Sequence, residues 1–338
     1  MKVGMIGMGN LGSAVALLAA SHGHEVTGWE FDAAVVASIN EKQANDRYLP
    51  GIPLPPSVQA TTNLDEVMAL PLVFLALPSR FVLPVLSRYV AAHPAGPWPA
   101  IANLSKGIDA ASGKTVMMML GTLFPEEKLA MVAGPSLANE FSRGVMTVVV
   151  AASKNSALVQ QVGKVLNGSR FAVLPSDDVS GVELGGILKN IYALGLGIFA
   201  AQGELGLNFV GAYLTQALAE MQALGSILGA RPESFLLPSG IGDLIATSLS
   251  EHSHNRTMGR LIGEGHSLAE VREKMGNLPE GYNTLQVAVS LAQKNGITLP
   301  LATLLHEVVE GKLPPEQFME RFVGVLSATH PNGSTPHR

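Results

Sequence analysis

The chain has 338 residues, 47% of them hydrophobic and 14% charged, with a formal net charge of −5. That is enough apolar sequence for a large core or two domains, and too apolar for a disordered chain. It contains no cysteine and no run of Lys or Arg, which excludes disulfides, thiolate catalysis and Cys-zinc sites and argues against a nucleic-acid or anionic-membrane surface.

The opening MKVGMIG runs straight into strand-like sequence without a basic region, an apolar region and a cleavage site in succession. A cytoplasmic protein is therefore expected. Strand-like runs KVGMIG, EVTGW, LVFLAL, AIANL, LAMVA, MTVVVAA and FAVL alternate with helical stretches, the βαβ pattern of a doubly wound, mostly parallel sheet. Runs such as LVFLAL lack polar alternation and suit strands covered on both faces. The Pro-rich segments 45–58 (NDRYLPGIPLPPSV) and 91–99 (AAHPAGPWP) read as loops. After FAVLPSDD the strand signals stop, and Ser176, Asp177 and Asp178 form a helix start with acids in its first turn. The expected fold class is thus an α/β dinucleotide-type domain over 1–177, an all-α substrate domain over 178–330 and a polar, frayed tail over 331–338. Apolar stretches in the first half are too short to cross a bilayer, and the one around Lys189 carries Lys, Asn and glycines, so a buried helix is expected there and no membrane span.

GMGNLG, residues 7 to 12, fits G-x-G-x-x-G through Gly7, Gly9 and Gly12. It follows the short strand KVGMI and opens the helical run SAVALLAASHG, the context of a Rossmann phosphate turn. The first glycine serves the turn, the second lets a pyrophosphate reach the backbone, and the third packs helix on strand. Glu30 follows 18 residues after Gly12, with Asp32 beside it. A carboxylate there accepts from the adenosine ribose hydroxyls and repels a 2′-phosphate. No Lys or Arg follows until Lys42, so NAD is favoured over NADP. The competing readings are a glycine-rich turn of another α/β domain and a merely solvated Glu30.

GVELGGILKNIYALGLGI, residues 181 to 198, places Lys189 and Asn190 inside the most apolar helix. Helical spacing sets Gly185, Gly186, Tyr192 and Ala193 on the same side as Lys189. Each glycine in a helix costs roughly 1 kcal/mol against alanine, so something packs very close: a ligand within reach of Lys189, or a neighbouring helix with Lys189 extending to water. This segment alone leaves both open. Further along, NLSKGID puts Lys106 just after a strand, SGIGDLIATSLSEHSHNRTMG supplies Asp243, Thr247, Ser253, His254, Asn255 and Arg256, and NLPEGYNT supplies Glu280. His252 and His254 have no third ligand nearby, so no metal site is expected.

Through GMGNLG, LSKGID, GPSLANEF, GVELGGILKN, GIGDL, HNR and EGYNT, in this order up to about residue 325, the chain resembles the NAD(P)-dependent glycerol-3-phosphate dehydrogenases. The resemblance implies a Rossmann domain followed by a helical domain, with the site in the cleft. It also implies hydride exchange between a nicotinamide cofactor and dihydroxyacetone phosphate or sn-glycerol 3-phosphate, and a homodimer. Lys189 matches the catalytic lysine, Asp243 the acid that supports it, and Lys106 and Asn190 positions that contact substrate, Lys106 also taking part in catalysis. Thr247, Ser253, His254, Asn255 and Arg256 fall in the substrate and phosphate region. The cofactor positions implied are Gly7, Gly9, Asn10, Leu11, Gly12, Glu30, Phe31, Phe81, Lys106, Gly134, Ser136, Ala138, His254 and Glu280. A ketone reduced by hydride develops negative charge on oxygen, which a nearby ammonium stabilises and protonates. Burial in an apolar helix would tune that lysine, and the glycines would leave room for substrate.

The chain departs from the family pattern at His254, where an arginine is common, at Val210 and Gln216, near which arginines are usual, and at Leu11, where an aromatic is usual. Two rival readings follow: a dehydrogenase of another small hydroxy compound, and a cofactor-binding regulator without turnover. The joint presence of Lys106, Lys189 and Asp243 argues against the second.

Overall fold

A computed structural model describes residues 1–203 and 206–329. Eight strands form one sheet: β1 (Lys2–Ile6), β2 (Glu25–Trp29), β3 (Val58–Thr61), β4 (Leu72–Leu75), β5 (Ala100–Asn103), β6 (Leu129–Ala133), β7 (Thr147–Ala152) and β8 (Phe171–Ser176). Their spatial order is β3-β2-β1-β4-β5-β6-β7-β8. Neighbours pair in parallel except β6 with β7. The first six strands have the Rossmann order, and the chain reverses its winding between β1 and β4, where such sheets bind ligands at the carboxyl ends of their strands.

β4 and β6 are buried along their whole length, which explains their unbroken apolar sequences. β3 is the strand the sequence hid. Its VQAT alternates buried and less buried residues at the sheet edge, and it takes Val58, the last residue of the Pro-rich segment expected to be loop. A four-residue edge strand needs only one apolar face, so it carries no continuous hydrophobic run. At the opposite edge β8 tolerates Pro175 within a strand, as edge strands do.

β8 ends at Ser176, and among the described residues every later element is helical. Asp178 caps the helix Val179–Ala201, its Oδ1 accepting from Gly181 N at 3.0 Å. The tail expected over 331–338 lies outside the described residues. The helix Val179–Ala201 is long and apolar enough to cross a membrane, yet 89% of its most apolar window is buried inside the protein. It is the axis of the helical domain, with Leu184, Leu188, Ile191, Leu194 and Phe199 in that domain's core. On its other side Ile187 meets Ile108 of the sheet domain and Val287 of the helix Glu280–Asn295 in a small apolar cluster.

The glycines of this helix do not leave room for substrate. A Cβ at Gly185 would run into the Ser239 carbonyl, one at Gly195 into the Tyr213 hydroxyl, and one at Gly197 into the Arg256 carbonyl. At Gly186 it would press on the Lys106 stem at 3.0 Å. Neighbouring protein occupies these approaches. Gly259 of the helix His254–Gly263 meets the Leu194 carbonyl in the same way, so the two helices cross backbone against backbone.

Candidate active site

The glycine turn is built for an anion. Gly7 has φ +94°, a conformation that favours glycine, and a Cβ at Gly12 would strike the Gly7 carbonyl. Gly9 has no foreign atom within 4 Å of where its Cβ would lie, and it precedes the helix Asn10–Ser21, whose N-terminus has no side-chain cap. Open N–H groups at a helix start, with nothing over the middle glycine, fit a pyrophosphate. Asn10 and Leu11 lie on the rim, the Asn10 amide donating to the Tyr48 carbonyl at 2.7 Å and to Asn139 Oδ1 at 3.3 Å. Behind the turn, the segment 45–58 contributes more than a connection. Asn45 is 1% exposed and donates to the Met8 carbonyl at 2.6 Å and to Ser13 Oγ at 2.8 Å. A buried Asn in a Pro-rich segment carries no periodic signal, so sequence reading passed it over.

At the end of β2 the Glu30 carboxylate is 4% exposed, with Oε2 accepting from Met8 N and Oε1 from Asp32 N, both at 3.2 Å. It is a fixed charge tied to the glycine turn rather than a solvated strand end. Asp32 caps the helix Ala33–Lys42 through one oxygen and receives Arg47 Nη1 on the other at 2.5 Å. A cation thus stands at the strand end although none is near in sequence; the fold supplies Arg47 from the following loop. Phe31 is 74% exposed beside this group and Phe81 is 45% exposed, covered in part by the Arg80 guanidinium. Gly134, with φ +147°, lies against Val149, while Ser136 Oγ donates to the Gly134 carbonyl and Ala138 starts the short helix Ala138–Phe141.

Lys106, Lys189, Asp243 and Thr247 come together. Asp243 follows a π-helical turn, Pro238–Gly242, and opens the helix Asp243–Leu249. Its Oδ1 receives the Lys189 ammonium and its Oδ2 the Lys106 ammonium, the latter at 2.7 Å. Thr247, one turn on, accepts from Lys189 Nζ at 2.7 Å. Lys189 is 8% and Asp243 2% exposed. Burial pulls the Lys189 pKa down to about 8 against the opposing attraction of Asp243. For Asp243, burial alone would raise the value, but Lys106 and Lys189 together hold it below the usual carboxylate range. Two ammonium groups sharing one carboxylate leave a net positive charge at this spot.

The remaining positions divide. Asn190 adjoins Lys189, and its Oδ1 accepts from Asn255 Nδ2 at 3.0 Å. Asn255 Oδ1 in turn accepts from Gly281 N at 2.9 Å, so the Asn255 amide is engaged with protein on both sides. Ser253 caps the helix His254–Gly263, accepting from Arg256 N. His254 is exposed at the first turn of that helix, and Arg256 is turned toward the Leu249 carbonyl at 3.0 Å. Glu280 Oε1 accepts from Ser79 Oγ at 2.5 Å, joining the helical domain to the sheet domain. Ser79 was not singled out in the sequence, because a lone serine after a proline has no distinguishing pattern. Val210 and Gln216 are both buried in the helix Leu207–Ile227.

Gly9, Asn10, Lys106, Ser136, Lys189 and Asp243 share the walls of one cleft of about 520 Å³. A larger one of about 730 Å³ opens beside the Ser79–Glu280 contact, between Arg80, Asp109, Lys114 and Asn283. Lys189 and Asp243 line the smaller cleft, and the glycine turn opens into it. Among the described residues no group of three or more His, Asp or Glu side chains gathers as a metal site.

A Rossmann turn opening toward a buried lysine and carboxylate on a helical second domain defines a two-domain, nicotinamide-dependent oxidoreductase. The family profile described as the NAD-dependent glycerol-3-phosphate dehydrogenase N-terminus matches residues 2–159, and its C-terminal counterpart matches 178–320. The chain belongs to this family. A Pseudomonas fluorescens protein named glycerol-3-phosphate dehydrogenase, NAD(P)+, is 38% identical over 331 residues, covering 97% of this chain and 91% of its own. A protein of the same name from Xanthomonas campestris pv. campestris is 35% identical over 318 residues, with 93% and 92% covered. The crystal structure of the glycerol-3-phosphate dehydrogenase of Coxiella burnetii superposes with a TM-score of 0.85 at 30% identity, covering 95% of this chain and 98% of that one.

Proposed function

We propose that the protein interconverts dihydroxyacetone phosphate and sn-glycerol 3-phosphate, with Lys189 as the general acid and base. One observation carries the assignment of roles: the Lys189 ammonium, almost fully buried between Asp243 and Thr247, faces the cleft into which the glycine turn opens. The bound nicotinamide cofactor supplies or accepts the hydride. Gly7, Gly9 and Gly12 would receive its pyrophosphate, Glu30 stands behind them at the strand end that would meet its adenosine, and Glu280, bonded to Ser79, ties the second domain to the cofactor domain. In the reducing direction Lys189 Nζ donates a proton to the ketone oxygen as negative charge develops there. In the oxidising direction neutral Lys189 takes the hydroxyl proton. Asp243 orients the amine through Oδ1 while anchoring Lys106 through Oδ2, and the net positive charge of this trio favours an anionic substrate. His254 and the start of its helix form the phosphate side, where a histidine takes the place of the family's common arginine. Residues 1–177 serve as the cofactor domain and 178–330 as the substrate domain. The same reading, resting on family resemblance, makes the protein a cytoplasmic homodimer, which light scattering of the purified protein tests.

Loss of NADH absorbance on adding dihydroxyacetone phosphate is the deciding assay. Turnover of another small ketone but not of this one would transfer the assignment to a related dehydrogenase. Tight NADH binding with no turnover of any ketone would leave a cofactor-binding regulator.

A further inference from the structure

The peptide between Met8 and Gly9 is gripped from inside the protein. The Met8 carbonyl accepts from Asn45 Nδ2 at 2.6 Å and from Ser13 Oγ at 2.8 Å, and Asn45 Nδ2 also donates to Ser13 Oγ at 2.8 Å. The Tyr48 backbone N–H, which can only donate, meets Asn45 Oδ1 at 3.3 Å and so fixes which end of the Asn45 amide faces Met8. Asn45 is 1% exposed and Ser13 is fully buried. A trans peptide points its C=O and its N–H in opposite directions. With the Met8 carbonyl turned into this buried pair, the Gly9 N–H points away from it and meets no acceptor among the described residues. Gly9 lines the cleft of about 520 Å³, and no foreign atom lies within 4 Å of where its Cβ would stand. Glycine tolerates φ of either sign, so the backbone alone does not bar a flipped peptide here.

We propose that Asn45 is a positioning residue which sets the polarity of the Met8–Gly9 peptide, so that the glycine turn shows an N–H, and not a carbonyl, to the cofactor's pyrophosphate. A flipped peptide would set a carbonyl dipole against the anion at the helix start whose other open N–H groups attract it. Asn45, buried behind the turn, acts through the Met8 carbonyl. The competing role is a purely structural one, in which Asn45 only anchors the Pro-rich segment through Tyr48. The proposal needs the nicotinamide cofactor alone and is independent of the substrate assigned above.

Binding of NADH and of ADP-ribose to the purified protein tests this without turnover. Asn45→Ala removes the amide donors, and the Kd of both ligands should rise together by roughly ten- to hundredfold, the range for losing a hydrogen bond to a charged group. Asn45→Asp is the finer probe. It keeps an acceptor for the Tyr48 N–H, but its carboxyl can donate to the Met8 carbonyl only when protonated, and burial raises the pH at which that happens. Its ADP-ribose Kd should be as weak as that of Asn45→Ala at about pH 8 and recover at least about tenfold toward about pH 5. Wild type and Asn45→Ala should change less than about threefold over that interval. The uncharged Asn45→Ala separates loss of the donor from repulsion of the pyrophosphate by the new carboxylate, and if it folds poorly the pH profile of Asn45→Asp decides alone. The Gly9 amide resonance, assigned in glycine-labelled protein by its loss in Gly9→Ala, should move on adding ADP-ribose to wild type and stay in place in Asn45→Ala. Wild-type affinity in a folded Asn45→Ala, a flat profile in Asn45→Asp, or a Gly9 amide that responds alike in wild type and Asn45→Ala overturns the proposal and leaves Asn45 a structural anchor.

Discussion

Asp243 receives the Lys189 ammonium at the first residue of its own helix, immediately after the π-helical turn Pro238–Gly242. The turn sets the carboxylate against a lysine 54 residues earlier in the chain, and the second oxygen binds Lys106 from the other domain. Burial and the carboxylate act on Lys189 in opposite senses, and burial dominates, giving a value of about 8.

That value fixes the pH dependence of the two directions. Reduction needs the protonated amine, so its chemical step should weaken as pH rises through about 8; oxidation needs the neutral amine and should strengthen over the same interval. Asp243→Asn removes the charge that favours the ammonium, and both limbs should then move to lower pH. Lys189→Ala should lower kcat by about 10² to 10⁴ with little change in NADH Kd. Saturating kcat profiles in both directions read these outcomes, and limbs that stay in place in Asp243→Asn would show that another group carries the proton.

Glu183 lies six residues before Lys189 on the same helix and is 2% exposed. Burial pushes its carboxyl up to about 7, although Thr115 and the Met117 N–H, at 2.8 Å, both favour the charged form. Its folded value exceeds the ordinary 4.5, so folding takes up a proton between these two pH values. Stability attributable to this group is therefore greatest below about pH 4.5, is lost as pH rises through 7, and is level above it; the full difference is about 3 kcal/mol. Glu183→Gln keeps an acceptor for Met117 and carries no charge. It should raise the melting temperature at pH 8 and leave it unchanged near pH 4.5, and a fall confined to pH 8 would mean that the carboxylate is a net stabiliser.

Much of this was legible in the sequence, for identifiable reasons. The doubly wound sheet followed by helices could be read from apolar runs that end at Ser176, and the glycine turn from its position between a strand and a helix. β3 escaped because an edge strand needs no apolar run. The glycines around Lys189 were legible as marks of close approach, but sequence spacing along one helix cannot say what approaches, and the answer was the Ser239 carbonyl, the Tyr213 hydroxyl and the Arg256 carbonyl. Ser253, Asn255 and Arg256 were recognisable as a polar cluster, yet only the fold shows that Ser253 caps a helix and Asn255 joins two others. Arg47 was invisible as a neighbour of Asp32, because loop closure brings it there.

Arg47 bears directly on cofactor choice. If Glu30 repels a 2′-phosphate as proposed, kcat/KM with NADH should exceed that with NADPH by roughly tenfold or more, about 1.4 kcal/mol. Glu30→Ala is a poor test, since it strips the Met8 and Asp32 N–H groups of their acceptor. Glu30→Gln retains an acceptor without the charge and should narrow the gap. Arg47→Ala removes the cation held by Asp32 and should widen it by weakening NADPH alone. Fluorescence Kd values for both cofactors decide this, and equal wild-type affinities would sink the preference.

In the proposed function the phosphate side turns on His254, exposed at the first turn of its helix, where the family resemblance implies an arginine. A guanidinium there would add a permanent, bidentate donor to the N–H groups of the helix start, which already favour an anion. His254→Arg should therefore lower KM for dihydroxyacetone phosphate by about tenfold or more, the worth of one charge-assisted hydrogen bond, while kcat and the NADH Kd change little. Arg256 offers the competing arrangement. Its guanidinium now bonds the Leu249 carbonyl at 3.0 Å, and on substrate binding it could turn to the phosphate and make a second arginine redundant. Arg256→Ala separates the two. If His254 and its helix start hold the phosphate, Arg256→Ala leaves KM within about twofold, and His254→Arg improves it in either background. If Arg256→Ala raises KM tenfold or more and His254→Arg alone changes nothing, the phosphate belongs to Arg256.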